Sequence, residues 1–322
     1  MKALVYKAKN APLAFEEMKL PEPTKEQAVV NLKSAALNHR DNWITKGLYP
    51  NIREDIILGS DGAGTVDGRE VIINPNIGWG SDERFPSPDY LILGMPTHGT
   101  FAEQICIAKD RLVDKPAHLS MEEAAALPLG GLTAYRTLFS RCATQAGDNV
   151  LISGVGGGVA LFACQFAIAA GAKVWVTSGS EEKIDKAVAL GASGGVSYRQ
   201  DGWAKQIKKQ SGGFDVIIDS AGGQGFADLV KVTRPGARIG LYGGTKGNWE
   251  GVSPPIVFFN QIDILGSTMG SDKDFADMVA FVNKHKIKPV IDANFQLADG
   301  NAALSRMDNG EQFGKITLTI GA

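Results

Sequence analysis

Four successive side chains, Asn38, His39, Arg40 and Asp41, set an amide, an imidazole, a guanidinium and a carboxylate side by side within "LNHRDNWITKGLYP", Leu37 to Pro50. Polar groups at this density, directly after the apolar "SAAL", suit a metal site, an acid–base site, or a polar turn that opens a helix. The metal use is poorly supplied. His39 and Asp41 are the only classical ligands in the stretch, and the other histidines, His98, His118 and His285, lie in unrelated contexts. A catalytic zinc takes about three protein ligands of Cys, His or carboxylate type.

A second chemical feature is "VLISGVGGGVALFACQFAIAAG", in which a Val/Ile strand runs into glycines and then into an apolar helical stretch ending at Gly171. Glycines let backbone approach a pyrophosphate, and the following helix N-terminus offers free N–H groups and a positive dipole end. The literal G-x-G-x-x-G is not met: Gly154 and Gly156 are followed by Val159 where a third glycine belongs. Shifting the frame by one residue gives Val155, Gly157 and Ala160, with Gly158 between them, and alanine is accepted at the last position. The strand–turn–helix–strand context predicts a dinucleotide site. NAD-selective sites usually end the next strand in Asp or Glu, which accepts from the ribose 2′-OH. Here "VTSGSEEK" ends that strand in Thr177, Ser178 and Gly179, with no acid. Lys183 lies one turn further on, and Tyr198 and Arg199 follow the next short strand. All can reach a 2′-phosphate, so NADP(H) is expected over NAD(H). The competing reading is that Glu181, Glu182 and Lys183 form only a solvated first helical turn.

The elements that must carry these residues change character along the chain. The first third is β-rich: "ALVYKA", "QAVVNLKSAAL", "GAGTVDGREVIINP" and "GTFAEQICIA" are short apolar runs punctuated by Gly, Pro and Asp. Residues Ile77 to Thr97 read as an irregular surface lobe. Near Leu119 the texture shifts. Ser120 and Glu123 form an S-x-x-E capping box, and Pro128 should interrupt the helix that it opens. Strands and helices then alternate: strands at "NVLISG", "KVWVTS", "FDVIIDSAG", "ARIGLYGG" and "QIDILGST", helices at "SEEKIDKAVALG", "GWAKQIKKQSG" and "FADLVKVTRPG". Val/Ile runs between helices predict an α/β domain whose parallel sheet is covered on both faces. An amphipathic helix, "DKDFADMVAFVNKHKI", comes next, and the strand "GKITLTI" returns to the first domain.

Length and composition agree. The chain of 322 residues allows about two domains. A net charge of −2 gives no reason to expect nucleic acid or an anionic membrane as partner. Three widely spaced cysteines, Cys106, Cys142 and Cys164, argue against a disulfide framework and for a reducing, cytoplasmic setting. The longest apolar stretch, Gly158 to Ala172, is too short for the roughly 20 residues of a membrane span.

In order and spacing, "LPLGGLTAYRTLF", "GVGGGVA", "DSAGG" and "ILGSTMGS" after a β-rich segment resemble the medium-chain dehydrogenase/reductase superfamily, in its quinone oxidoreductase branch and zinc-type alcohol dehydrogenase-like relatives. The resemblance spans essentially the whole chain. It implies a β-rich GroES-like catalytic domain, residues 1–122 and 271–322, plus a Rossmann doubly wound parallel-sheet domain, residues 123–270. In zinc-dependent members the positions matching Asn38, Ser60 and Leu129 are ligands to catalytic zinc, and the segment matching 77–97 carries structural cysteines. None of those ligands stands here, so the resemblance implies a zinc-independent enzyme with no metal site.

It further implies that Asn38, Asp41 and Tyr49 belong to the catalytic pocket, with Trp43 where a second tyrosine is common. Thr133 would contact the nicotinamide end. Gly179, Lys183 and Tyr198 fall on positions that hold the 2′-phosphate, Gly222, Gly243 and Gly244 would line the cofactor at the strand ends, and Lys315 would lie close to its phosphates. For Lys315 a plain strand start is the competing reading. The expected activity is NADPH-dependent hydride transfer to a quinone or α,β-unsaturated carbonyl in a homodimer. The alternatives are a nucleotide-binding redox sensor or crystallin-type protein with little catalysis, and an alcohol dehydrogenase-like enzyme.

Overall fold

The alternating Val/Ile runs and helices resolve into a six-stranded, all-parallel sheet. The computed structural model describes residues 1–321. Its strands, in chain order, are Asn149–Ile152, Lys173–Ser178, Gly194–Ser197, Phe214–Asp219, Thr233–Leu241 and Asp263–Gly266. They lie in the spatial order third, second, first, fourth, fifth, sixth. This is the doubly wound order whose first strand adjoins the topological switch point, where ligands bind at the carboxyl ends of the strands. All four residues of the first strand are buried, which explains a run without polar alternation.

The other unit is organised by one long strand, Gln27–Ala36. On one side it pairs antiparallel with Asp61–Val66 and on the other with Lys315–Thr319. It also pairs with Gln104–Ala108, and a separate three-stranded sheet is built from Lys2–Tyr6, Ala14–Glu17 and Ile56–Ile57. The registers decide which residues meet at the strand ends. Ala36 lies opposite Asp61 on one side and Thr317 on the other, so the end of the long strand is flanked by the start of each neighbour. The backbone N–H of Leu37 still donates to Ile316, at 3.0 Å, which carries the pairing on toward Lys315. The chain then turns at Asn38 into the helix His39–Thr45.

Several expectations need correction. The two units divide after Leu132 and before Gly270, not at 122 and 270. The capping box at Ser120 and Glu123 is present and does start a helix, Met121–Ala126. Pro128 opens a second one, Pro128–Tyr135. The start of that second helix is tied into the β-rich unit: the N–H of Leu129 donates to Asp61 Oδ1 at 2.8 Å. A helix start therefore does not mark the domain boundary. The helix expected over "FADLVKVTRPG" stops at Lys231, and β-branched Thr233 already belongs to the fifth strand. The lobe at 77–97 is not wholly superficial, since Trp79, Leu93 and Met95 are buried. A strand at Ile291–Gln296 and helices at Pro254–Phe259 and Gly300–Asp308 complete the fold. Among the described residues no helix is long and apolar enough to cross a membrane.

The pairing of Gln27–Ala36 with Asp61–Val66 is close enough to exclude a side chain. A Cβ on Gly64 would sit 2.2 Å from the carbonyl oxygen of Asn31 and 2.8 Å from the Cα of Leu32. Both are backbone atoms, so the strands themselves would have to part. Gly64→Ala should destabilise the protein by about 1–3 kcal/mol or more, the scale of overpacking. The urea midpoint measures this, and an unchanged midpoint would show that the strand pair yields freely.

Candidate active site

The register brings Asn38, Asp61 and Lys315 together. Lys315 is 4% exposed and Asp61 is fully buried. The ammonium donates to three oxygens: Leu37 O at 2.7 Å, Asn38 Oδ1 at 2.7 Å and Asp61 Oδ2 at 2.9 Å. Asn38 Nδ2 in turn donates to Asp61 Oδ2 at 2.9 Å, and Asp61 Oδ1 accepts from Leu129 N. Each charge is thus paired and hydrogen-bonded, the condition under which a buried ion pair is tolerated. Lys315 does not match the expectation of a cofactor-phosphate contact. All three of its hydrogens are taken inside the β-rich unit, because its strand begins opposite the Asn38 turn.

Asp41 is also buried, at the third position of the helix His39–Thr45. Its carboxylate accepts from the backbone N–H of Asn38 at 2.8 Å. Burial raises its pKa to about 6, against the opposing pull of Arg40, of that N–H and of Lys315. Through that bond it fixes the Asn38 turn from a fully buried position. The opening stretch is therefore a helix start whose polar side chains face inward as well as outward. His39 is open to solvent on one side yet ringed by protein. Desolvation first, and then the positive charge of Lys315, hold its pKa below the usual imidazole value, while Asp308 acts the other way.

Arg40 is a residue whose importance the sequence did not reveal. It is 6% exposed. One terminal nitrogen donates to Ser60 Oγ at 2.5 Å and to Leu93 O at 2.8 Å, and the other reaches Met95 O at 3.4 Å. Its Nε donates to the phenolic oxygen of Tyr49 at 3.3 Å, with the guanidinium 4.8 Å from the ring centroid. A lone Arg in a polar run signals nothing by itself; only its burial shows that it clamps three segments. Two expected catalytic residues, Asn38 and Tyr49, thus each contact a buried cation.

In the parallel-sheet unit, the turn after the first strand has the expected shape. Gly154 and Gly156 have φ of 64° and 143°, where other residues are strained. The N–H of Gly154 donates to Thr177 Oγ1 at 3.1 Å, which ties the turn to the second strand. Gly157 caps the helix Gly158–Ala169, with Val159 in its first turn. A Cβ on Gly154 or Gly157 would meet nothing within 4 Å, so the turn is an open cradle, while one on Gly156 would approach the Lys183 side chain at 3.0 Å. Ser178 is buried, and its Oγ accepts from Ser180 N at 3.3 Å. A Cβ on Gly179 would lie 2.7 Å from the Tyr198 hydroxyl and 3.0 Å from Arg199 Nε, so those two side chains lean over this glycine.

At the fourth strand Asp219 binds the Ser153 hydroxyl and accepts from Gly222 N at 2.8 Å, which fixes the loop. Gly243 and Gly244 come just after the fifth strand, with Gly243 close to Ser220 O. Thr133 is buried, its Oγ1 3.9 Å from Met269 Sδ. Open glycines at a helix N-terminus beside a basic, aromatic rim fit a dinucleotide cofactor.

A zinc ion is not suited to the Asn38 surroundings. Asn38 and Ser60 supply only an amide and a hydroxyl, and both already bond to Lys315 and Arg40. Among the described residues no group of three or more His, Cys, Asp or Glu could hold a metal. The cysteines are free, and burial pushes the thiols of Cys142 and Cys164 up to about 12, so neither is a thiolate nucleophile.

Comparison with known proteins agrees with this architecture. Residues 24–117 match the alcohol dehydrogenase GroES-like domain, and residues 158–284 match the zinc-binding dehydrogenase domain. The chain is 34% identical to the zinc-type alcohol dehydrogenase-like protein YogA of Leptosphaeria maculans, over 96% of this chain and 95% of that protein. A crystal structure of an NAD-dependent alcohol dehydrogenase has 36% identity and a TM-score of 0.94, and both chains are covered completely. Among more distant relatives, quinone oxidoreductase of Mus musculus is 27% identical over 94% of this chain and 91% of its own length. Crotonyl-CoA reductase of Streptomyces avermitilis is 27% identical over 94% of this chain and 80% of its own length. The chain belongs to the medium-chain dehydrogenase/reductase superfamily, as an oxidoreductase built from a GroES-like and a Rossmann-type domain.

Proposed function

We propose that the protein is a zinc-independent, NADPH-dependent reductase of quinones or α,β-unsaturated carbonyl compounds. The observation that carries this is the Lys315–Asn38–Asp61 cluster, which fills the zinc-ligand region with hydrogen-bonded side chains and offers an amide N–H in place of a Lewis acid. Reduced nicotinamide, when bound, supplies a hydride equivalent. The glycine turn 154–158 would hold its pyrophosphate, and Ser178, Gly179, Lys183 and Tyr198 its 2′-phosphate.

The rest of the chemistry falls to the chain's own residues. As an acceptor is reduced, negative charge gathers on its carbonyl oxygen and needs donors fixed in advance. Asn38 Nδ2 and the Tyr49 hydroxyl are the donors, and Tyr49 or a water delivers the proton. Two hydrogen-bond donors polarise a carbonyl less than a divalent metal, so the acceptor must be activated by conjugation. The names of the quinone oxidoreductase and crotonyl-CoA reductase relatives are consistent with such acceptors. The preference for NADPH rests on the missing acid at Ser178.

NADPH should bind more tightly than NADH, and Lys183→Ala should weaken NADPH by about 1–3 kcal/mol, the scale of one charge-assisted hydrogen bond, with NADH little changed. Equal losses for both coenzymes would make Lys183 a part of the fold only. With a panel of quinones, enals and enones, Asn38→Ala should lower kcat by about 10²–10³-fold, as for one oxyanion donor, and Tyr49→Phe by less if water substitutes. Full turnover by the double variant, or efficient oxidation of simple alcohols by the metal-free protein, would refute the assignment.

A further inference from the structure

An amide side chain presents an oxygen on one end and a nitrogen on the other, and only the nitrogen can stabilise a developing oxyanion. Which end faces outward is set by the hydrogen-bond network. At Asn38 the network leaves no choice. Lys315 Nζ has hydrogens only to give, and it lies 2.7 Å from Oδ1. The amide nitrogen is thereby directed away, with one hydrogen on Asp61 Oδ2 and the second not used within the cluster. Tyr49 repeats the arrangement. A phenol can donate or accept, and Arg40 Nε, a pure donor, lies 3.3 Å from its oxygen. That contact makes the phenol an acceptor toward Arg40, and its own hydrogen must point elsewhere. Arg40 is itself held by Ser60, Leu93 and Met95, so it offers a fixed reference for the ring.

We infer that Lys315 and Arg40 are positioning residues, each of which occupies the acceptor atom of one proposed donor and so commits Asn38 and Tyr49 to donate toward the substrate. Neither cation need touch the substrate; every hydrogen of Lys315 is already taken inside the protein. The arrangement puts the two positive charges behind the donors and polarises them outward. Bonds in such a chain strengthen one another. The inference rests on the proposed donor roles of Asn38 and Tyr49, and the test separates the two.

Removing Lys315 alone would strand a buried carboxylate and could unfold the chain. The variant to use is Lys315→Met/Asp61→Asn, which removes both charges together. Turnover of 1,4-naphthoquinone with NADPH is measured in wild type and in this background, each with and without Asn38→Ala. NADPH affinity is measured separately. The paired variant should lose about 10–10²-fold in kcat with NADPH affinity unchanged, and Asn38→Ala should then cost under about threefold where it cost about 10²-fold or more in wild type.

A purely structural pair would leave the Asn38→Ala effect equally large in both backgrounds, and that result overturns the inference. Arg40→Lys, which keeps a cation but shortens its reach, provides an independent arm: it should shrink the effect of Tyr49→Phe in the same way, and an undiminished effect would remove Arg40 from the account. If Asn38→Ala and Tyr49→Phe are without effect in wild type, the donor reading itself has failed, whatever the cations do.

Discussion

The buried ion pair of Lys315 and Asp61 is the constraint on which the β-rich unit's site depends. Taking two charges out of water costs several kcal/mol each, and only close pairing with full hydrogen bonding offsets it. Here the pair recruits Leu37 O and the Asn38 amide to the ammonium, and the Leu129 N–H and the same amide to the carboxylate. Four chain segments are thereby pinned at one point: the end of the long strand Gln27–Ala36, the start of each strand beside it, and the start of the helix Pro128–Tyr135. Asn38 cannot rotate without breaking bonds to both ions. The network that satisfies the charges also orients the Asn38 amide.

The parallel-sheet unit solves a different problem by different means. Its ligand carries charge, so the unit needs backbone donors and a complementary rim, not a buried ion. The open glycines at the N-terminus of Gly158–Ala169 supply the first. On the proposed function, Lys183, Tyr198 and Arg199 around Gly156 and Gly179 supply the second. A side chain on Gly179 would have to displace Tyr198 and Arg199, so this glycine is fixed by the groups that lean over it.

Much of this was legible in the sequence, and the limits are physical. The parallel sheet could be read because a doubly covered strand is apolar at every position, as "NVLI" is after its first residue. The glycine turn could be read because its chemistry is local. The strand Ile291–Gln296 went unseen because its residues are only partly buried and it lacks a clean apolar alternation. The surroundings of Lys315 are hidden from the sequence for a deeper reason. Its partners, Asn38 and Asp61, lie 277 and 254 residues away in the chain. Only the strand register, with Ala36 opposite both Asp61 and Thr317, makes them neighbours. Arg40 beside Asp41 fits a polar turn as well as a site when read alone, and only burial shows that both side chains turn inward.

On the proposed function, hydrogen-bonded side chains organised by buried cations do what a zinc ion does in metal-dependent relatives. The most direct test is the metal content of the active protein. Protein purified without added metal should carry zinc well below stoichiometry by inductively coupled plasma mass spectrometry, and its NADPH-dependent quinone or enone turnover should survive exhaustive chelation. Stoichiometric zinc that leaves together with activity, and restores it on return, would contradict the account.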